Sequence, residues 1–178
     1  MKNSSKSHSR QIKPDIFSKQ VRTKWGPARI GATERGIARI SFPSRARLKN
    51  QSVSFPKGVK NHLSACRAFL ISYFSGKRNH NNSVRIDWQF FTPFERTVLR
   101  RLQSVPEGKT ISYSELARKS GVPRAARAVG NALNRNPVPI LLPCHRVVQK
   151  SGAFGGYRGG AKLKSVLLLF ERQKVSIG

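Results

Sequence analysis

The sequence predicts an α+β fold: a small N-terminal α/β domain with antiparallel strands, then a C-terminal helical domain of winged-helix-like outline. Three observations carry this. Apolar residues alternate on either side of a tight turn before residue 43, they recur at helical spacing after residue 91, and Gly and Pro divide residues 93–137 into three helix-sized segments. At 178 residues there is room for one or two domains with a buried core. The division expected is a disordered basic arm at 1–20, an N-terminal α+β domain at 21–88 and a C-terminal helix-turn-helix domain at 89–178.

Residues 1–15, MKNSSKSHSRQIKPD, are polar and basic and lack the apolar core of a signal peptide. In WGPARIGATERGIARISF (25–42), Ala28, Ile30 and Ala32 precede Glu34-Arg35-Gly36, and Ile37, Ile40 and Phe42 follow it, as in two strands joined by a turn. Residues 43–61, broken by Pro43, Pro56 and Gly58, read as a connecting loop. Leu63, Cys66, Leu70 and Phe74 fall on one helical face, which makes Cys66 a core thiol. NHNNS (79–83) reads as a loop, and Val84 to Trp88 as a returning strand.

Thr92-Pro93-Phe94-Glu95 then supplies a helix cap, a Pro at the first helical position and an acid in the first turn, with Phe94, Val98, Leu102 and Val105 along one face. Pro106-Glu107-Gly108 ends that helix. Ser112 or Ser114 starts a short second helix that stops at Gly121 and Pro123, and a third runs from about 124 to 135. Helix, tight turn, helix is the outline of a helix-turn-helix unit. On the third helix Ala125, Ala128, Val129, Ala132 and Leu133 fall to one side, and Arg124, Arg127, Asn131 and Asn134 to the other. SGAFGGYRGG (151–160) permits tight turns and close backbone approach to a ligand, without the GxGxxG spacing of a dinucleotide site. From Leu163 to Phe170 helical spacing resumes and delivers Glu171, the only acid after Glu115.

Thirty-five Lys and Arg stand against seven Asp and Glu, a formal net charge of +28, and the excess is spread over both halves. Such a surface points to nucleic acid as partner. Two cysteines make neither a disulfide framework nor a four-ligand metal site, which fits a reducing interior. No apolar run approaches the ~18 residues that a membrane span needs.

PCHRVV (143–148) sets one of those cysteines beside a histidine. A thiol is a useful nucleophile when partly ionised, and a basic neighbourhood, a nearby His and a helix N-terminus all raise that fraction. A short helical turn at Cys144-His145-Arg146 would place the thiol near unsatisfied N–H groups. Adjacent residues need not face each other, so His145 is expected to act on Cys144 through a water. Glu171 is the best third member, able to fix the imidazole tautomer.

The stretch ISYSELARKSGVPRAARAVGNALNRNPVPILLPCHRVVQKSGAFGGYRGG resembles the C-terminal domain of the O6-alkylguanine-DNA alkyltransferases, most specifically in NPVPILLPCHRVV. The match runs from about Phe91 to Arg172, with a weaker one over 21–88. The resemblance implies repair of O6-alkylguanine flipped out of double-stranded DNA, the alkyl group passing irreversibly to Cys144. It implies His145 as water-linked base, Glu171 as its orienting group and Tyr113 as proton donor to the guanine. Asn136 would brace the active-site turn, and Arg127 would be the finger that fills the vacated space, from a helix in the minor groove. Contacts to DNA would come from Arg124, Ala125, Ala126, Gly130, Asn131 and Arg135, and to the base from Val147, Tyr157 and the backbone N–H of Arg158.

On the residues alone, plainer readings stand beside these: Tyr113 as a core aromatic, Arg127 as a phosphate contact, Glu171 as a salt bridge, Asn136 as a cap. A noncatalytic lesion-binding protein of the same fold is the alternative function. Arg158 stands where several members carry a small residue, so its side chain is expected to narrow the pocket. The zinc ligands of some members are not evident, since Cys66 is isolated and His8, His62 and His80 follow no ligand spacing. No metal and no cofactor are expected, and the protein is read as a monomer of the cytoplasm or nucleoid, or of a eukaryotic nucleus.

Overall fold

The alternating apolar residues of 26–41 turn inward. Ala28, Ile30, Ala32, Ile37 and Ile40 are all buried, and Gly26–Thr33 (β2) pairs antiparallel with Gly36–Ser41 (β3). The computed structural model describes residues 15–42, 54–77 and 84–177. A further strand, Phe17–Thr23 (β1), lies on the other side of β2, with Val21 opposite Ala28. The sequence had assigned residues 17–20 to the basic arm. Their polar composition hides a ladder supplied by β2, while residues 1–14 of that arm lie outside the described residues.

Lys57–Phe74 (α1) covers the sheet, burying Val59, Leu63, Cys66, Leu70, Tyr73 and Phe74. The loop expected to reach residue 61 therefore gives way to helix directly after Pro56; its portion at 43–53, and the expected loop at 79–83, lie outside the described residues. Burial pushes the Cys66 thiol up to about 12, so it stays protonated and inert.

The expected strand at 84–88 is reduced to one parallel bridge between Ile37 and Ile86. Asp87 turns the chain away: its carboxylate accepts from Thr33 Oγ1, from the Gln89 N–H (3.1 Å) and from Gln89 Nε2 (2.6 Å), and a 3-10 turn follows at Trp88–Phe90. Gly36 makes room for this segment. At φ +152° a Cβ there would stand 2.8 Å from the Arg85 carbonyl oxygen and 2.9 Å from the Asp87 nitrogen.

Pro93–Gln103 (α2) opens on a reciprocal cap. Thr92 Oγ1 accepts from the Glu95 N–H (3.2 Å), and Glu95 Oε2 accepts from the Thr92 N–H (2.9 Å). Ser112 caps Tyr113–Lys119 (α3), and Ala126–Asn134 (α4) follows after the turn. On α4 Val129, Ala132 and Leu133 are buried as expected, but Ala128 is exposed and belongs to the outer face. Two short parallel strands, Ile111–Ser112 (β4) and Val147–Val148 (β5), bring the segments around Tyr113 and Cys144 together, and Ala161–Ile177 (α5) closes the chain.

One buried apolar cluster runs through both halves. They are joined by the Ile40 N–H donating to the Pro137 carbonyl (2.8 Å) and by Trp25 packed between Phe74 and Phe170. Among the described residues no helix is long and apolar enough to cross a membrane.

Gly36→Ala is expected to lose about 2 kcal/mol, because the atoms its Cβ would meet are backbone and cannot rotate aside; urea unfolding measures the loss.

Candidate active site

Asn136, two residues past the end of α4, organises the turn that carries the thiol. Its Nδ2 donates to the Leu142 carbonyl (2.8 Å) and to Cys144 Sγ (3.2 Å), and its Oδ1 accepts from the Val138 N–H (3.0 Å). Between these anchors Ile140 is held at φ +74°, where a β-branched residue is strained by roughly 1–3 kcal/mol. The Leu142 N–H on Val138 (3.1 Å) and the Cys144 N–H on Leu142 (2.8 Å) complete the turn, and Cys144–Arg146 forms a single 3-10 turn.

Cys144 is only 7% exposed. Burial raises its thiol pKa, against the Asn136 hydrogen bond, the backbone N–H groups and the charge of Lys164, which lower it; the net shift is upward. The sequence suggested a partly ionised thiol. The structure corrects this: one short turn and a nearby cation do not offset removal from water, so the resting thiol is protonated.

Behind it lies a buried charge network. Glu171 Oε1 meets His145 Nε2 (2.8 Å), Arg146 Nη2 (2.8 Å) and the Tyr73 hydroxyl (2.7 Å), while Oε2 accepts from Arg146 Nε (2.9 Å) and the Gly108 N–H (3.2 Å). Burial alone would raise the Glu171 carboxyl. The hydrogen bonds from His145 and Arg146, with the Arg146 charge, outweigh it and hold the group well below the usual carboxylate range. Burial lowers the His145 pKa, helped by Arg146 and Lys164 and opposed by Glu171, so the ring is neutral near neutrality. A neutral imidazole facing an ionised carboxylate through Nε2 must carry its proton there. Nδ1 is then an unprotonated base, buried and without a hydrogen-bond partner among the described residues.

The front of the site is a cavity of about 430 Å³ lined by Cys144, Asn136, Tyr157, Arg158 and Pro139, with Arg39 and Phe42 from the N-terminal half. Tyr113 stands beside the glycine loop: its hydroxyl donates to the Gly156 carbonyl (3.3 Å), and a Cβ at Gly155 (φ +62°) would come within 2.9 Å of it. Burial and the Cys144 charge raise the Tyr113 pKa, so the phenol keeps its proton. Lys164 is buried, with Nζ held by the carbonyls of Val147 and Phe154 and lying 5.7 and 5.9 Å from the Tyr113 and Tyr157 ring centroids. Burial lowers its pKa to about 8.

Cys144, His145, Asn136, Glu171, Tyr113, Val147, Tyr157 and Arg158 are thus brought to one locus. On the outer face, Arg124, Arg127 and Asn131 are exposed, Ala125 and Ala126 are half-buried, and Gly130 backs onto the Tyr113 ring. Arg135 is exposed but engaged with Glu95 (2.7 Å). Sequence reading missed Arg146, Tyr73 and Lys164. Arg146 lies within the PCHRVV motif and Lys164 interrupts an apolar helix face, but nothing local marks Tyr73, which lies far away in the chain. Among the described residues no group of three His, Cys, Asp or Glu is placed to hold a metal.

Residues 93–173 match the family model of the 6-O-methylguanine DNA methyltransferase DNA binding domain. The chain is 37% identical over 166 residues to the methylated-DNA–protein-cysteine methyltransferase of Mus musculus, spanning 82% of this chain and 76% of that one. It is 42% identical over 139 residues to the inducible methylated-DNA–protein-cysteine methyltransferase of Bacillus subtilis, 78% and 72% of the two chains. The crystal structure of Mycobacterium tuberculosis OGT in complex with DNA is similar with a TM-score of 0.72 at 30% identity, covering 88% of this chain and 93% of that one.

The depressed Glu171 pKa has a definite sign. Its stabilisation is complete above the ordinary carboxyl value of 4.5 and is lost as pH falls below it. Glu171→Gln is expected to cost about 3 kcal/mol near neutral pH, with the gap to the unsubstituted protein narrowing as pH falls towards about 3; urea unfolding across that range checks both.

Proposed function

The chain belongs to the 6-O-methylguanine DNA methyltransferase family, and from that premise we infer that it repairs double-stranded DNA by direct reversal, moving an alkyl group from O6 of guanine to its own cysteine. The observation that supports Cys144 as acceptor is its place in a pocket open to the DNA-facing loops, with a neutral histidine base fixed behind it.

A buried thiol cannot reach a base inside the stack, so the lesion must be flipped into the pocket. Arg127, exposed in the first turn of α4, is suited to fill the space left behind. Sγ attacks the alkyl carbon and the carbon–O6 bond breaks, its electron pair passing into the guanine. The thiol proton goes through a water to His145 Nδ1, and the imidazolium so formed is stabilised by Glu171. Tyr113, still protonated, gives its proton to guanine N3 and so limits the charge on the leaving base. Backbone at Val147 would read the exocyclic amine and the Arg158 N–H would face O6, with the Arg158 side chain at the cavity restricting bulky alkyl groups.

The products are a neutral guanine and a thioether, and the proton taken up by His145 returns through water to the Tyr113 phenolate. Nothing in this scheme cleaves the thioether, so each molecule acts once, and the scheme draws on no cofactor. A nucleophile in this position disfavours a noncatalytic lesion binder. The reading places the protein with cellular DNA, in the cytoplasm and nucleoid or in a nucleus.

Incubation with duplex DNA carrying radiolabelled O6-methylguanine is expected to leave stoichiometric label on the protein, and none on Cys144→Ser. Tyr113→Phe is expected to slow transfer about a hundredfold while keeping its stoichiometry. Binding without transfer by folded protein would overturn the reading.

A further inference from the structure

The thiol pocket carries one sign of charge. Three arginines, Arg39, Arg135 and Arg158, line it together with Cys144, and among the described residues no carboxylate does. Arg135 is engaged by Glu95 (2.7 Å). Arg39, on β3, and Arg158, in the glycine loop, are exposed, and their side chains make no hydrogen bond or ion pair among the described residues. Pro139, Leu163 and Tyr157 give the same cavity apolar walls.

The reaction dictates what these groups face. At transfer the alkyl carbon must stand against Sγ, in line with O6, so every atom that the group carries beyond that carbon lies in the cavity beside the thiol. A methyl group carries none. A longer neutral group meets the apolar walls, but it also takes water from two guanidinium groups without giving them a partner. A group that ends in a carboxylate sets its methylene on the walls and offers the guanidinium fork the planar partner it matches. We propose that the pocket selects O6-alkyl groups ending in a carboxylate, of which carboxymethyl is the smallest, over neutral groups of the same shape, with Arg158 as the main carboxylate contact and Arg39 as the second. Atoms and electrons balance as for methyl transfer. The bond from Sγ to the methylene carbon forms and the carbon–O6 bond breaks, its electron pair passing into the guanine. The thiol proton leaves through water to His145, and Cys144 becomes S-carboxymethylcysteine. The proposal rests on the assignment of Cys144 as acceptor.

A phosphate of the DNA is the competing partner for the same cations, and it does not change with the alkyl group, so the deciding measurement is a ratio. Single-turnover transfer to the full-length protein is timed by intact mass with two duplexes that differ only at the lesion. One carries O6-carboxymethylguanine and the other its neutral isostere, O6-carbamoylmethylguanine. The ratio of the two rate constants, charged over neutral, is expected to fall about tenfold in Arg158→Gln and about threefold in Arg39→Gln. Arg158→Lys keeps the charge without the fork, and the fall is expected to be smaller. In the unsubstituted protein the ratio is expected to decline as salt is added. Arg101→Gln is the control: it removes an exposed arginine from the last turn of α2, outside the pocket, and is expected to leave the ratio within about twofold. Equal slowing of both lesions in Arg158→Gln and Arg39→Gln would assign these cations to phosphates and overturn the proposal, as would a ratio that neither substitution moves, or a fall as large in Arg101→Gln. In each of those cases the acceptor assignment stands, because label still reaches Cys144. Transfer from neither duplex, nor from one carrying O6-methylguanine, overturns that assignment and the proposal with it.

Discussion

The buried carboxylate of Glu171 is the constraint on which the site depends. A charge removed from water must be matched by donors on all sides or it destabilises the fold. Here four donor residues come from three places: Tyr73 on α1, Gly108 after α2, and His145 and Arg146 on the active-site turn, while the carboxylate itself stands on α5. Satisfying one group therefore fixes the relative positions of helices from both halves. The same interaction sets the chemistry, since an ionised carboxylate at Nε2 leaves Nδ1 as the only basic nitrogen of His145.

The thiol turn shows a related balance. Asn136 spends its whole side chain on three short-range bonds, and the turn it closes tolerates Ile140 in a strained conformation. What this secures is a fixed place for a largely buried Sγ. Burial keeps the thiol protonated at rest and so slows its random alkylation and oxidation. On the proposed reading, activation belongs to the bound state, when a flipped base fills the cavity and the thiol proton passes through a water to His145.

Features that depend on near neighbours were legible in the sequence. The Thr92–Glu95 cap, the helical face that buries Cys66, the helix-turn-helix outline and the motif around Cys144 all follow from spacing or from short strings. Features that depend on a distant partner were not. β1 is polar and is a strand because β2 lies beside it, and β4 and β5 are two residues each, too short for any period. Residues 84–88 alternate like a strand, but Asp87 finds better hydrogen bonds by turning. Lys164 went unread in the sequence, and it is the carbonyls of Val147 and Phe154 that make its burial tolerable. Tyr73 reaches Glu171 across 98 positions of sequence, which no local reading can see.

The large positive charge acts at two scales. Spread over both halves, it favours any polyanion, and near the site it is sorted into an exposed stripe on α4 and arginines around the cavity. On the proposed reading, recognition by charge and reaction by a buried network are kept apart by the glycine loop and the turn. The central claim is the protonation state of that network, and ¹⁵N NMR of the histidine rings reports it directly. The structure predicts that His145 is neutral near pH 7 and above, protonated at Nε2 and bare at Nδ1. An imidazolium in that range, or a proton resident on Nδ1, would contradict it.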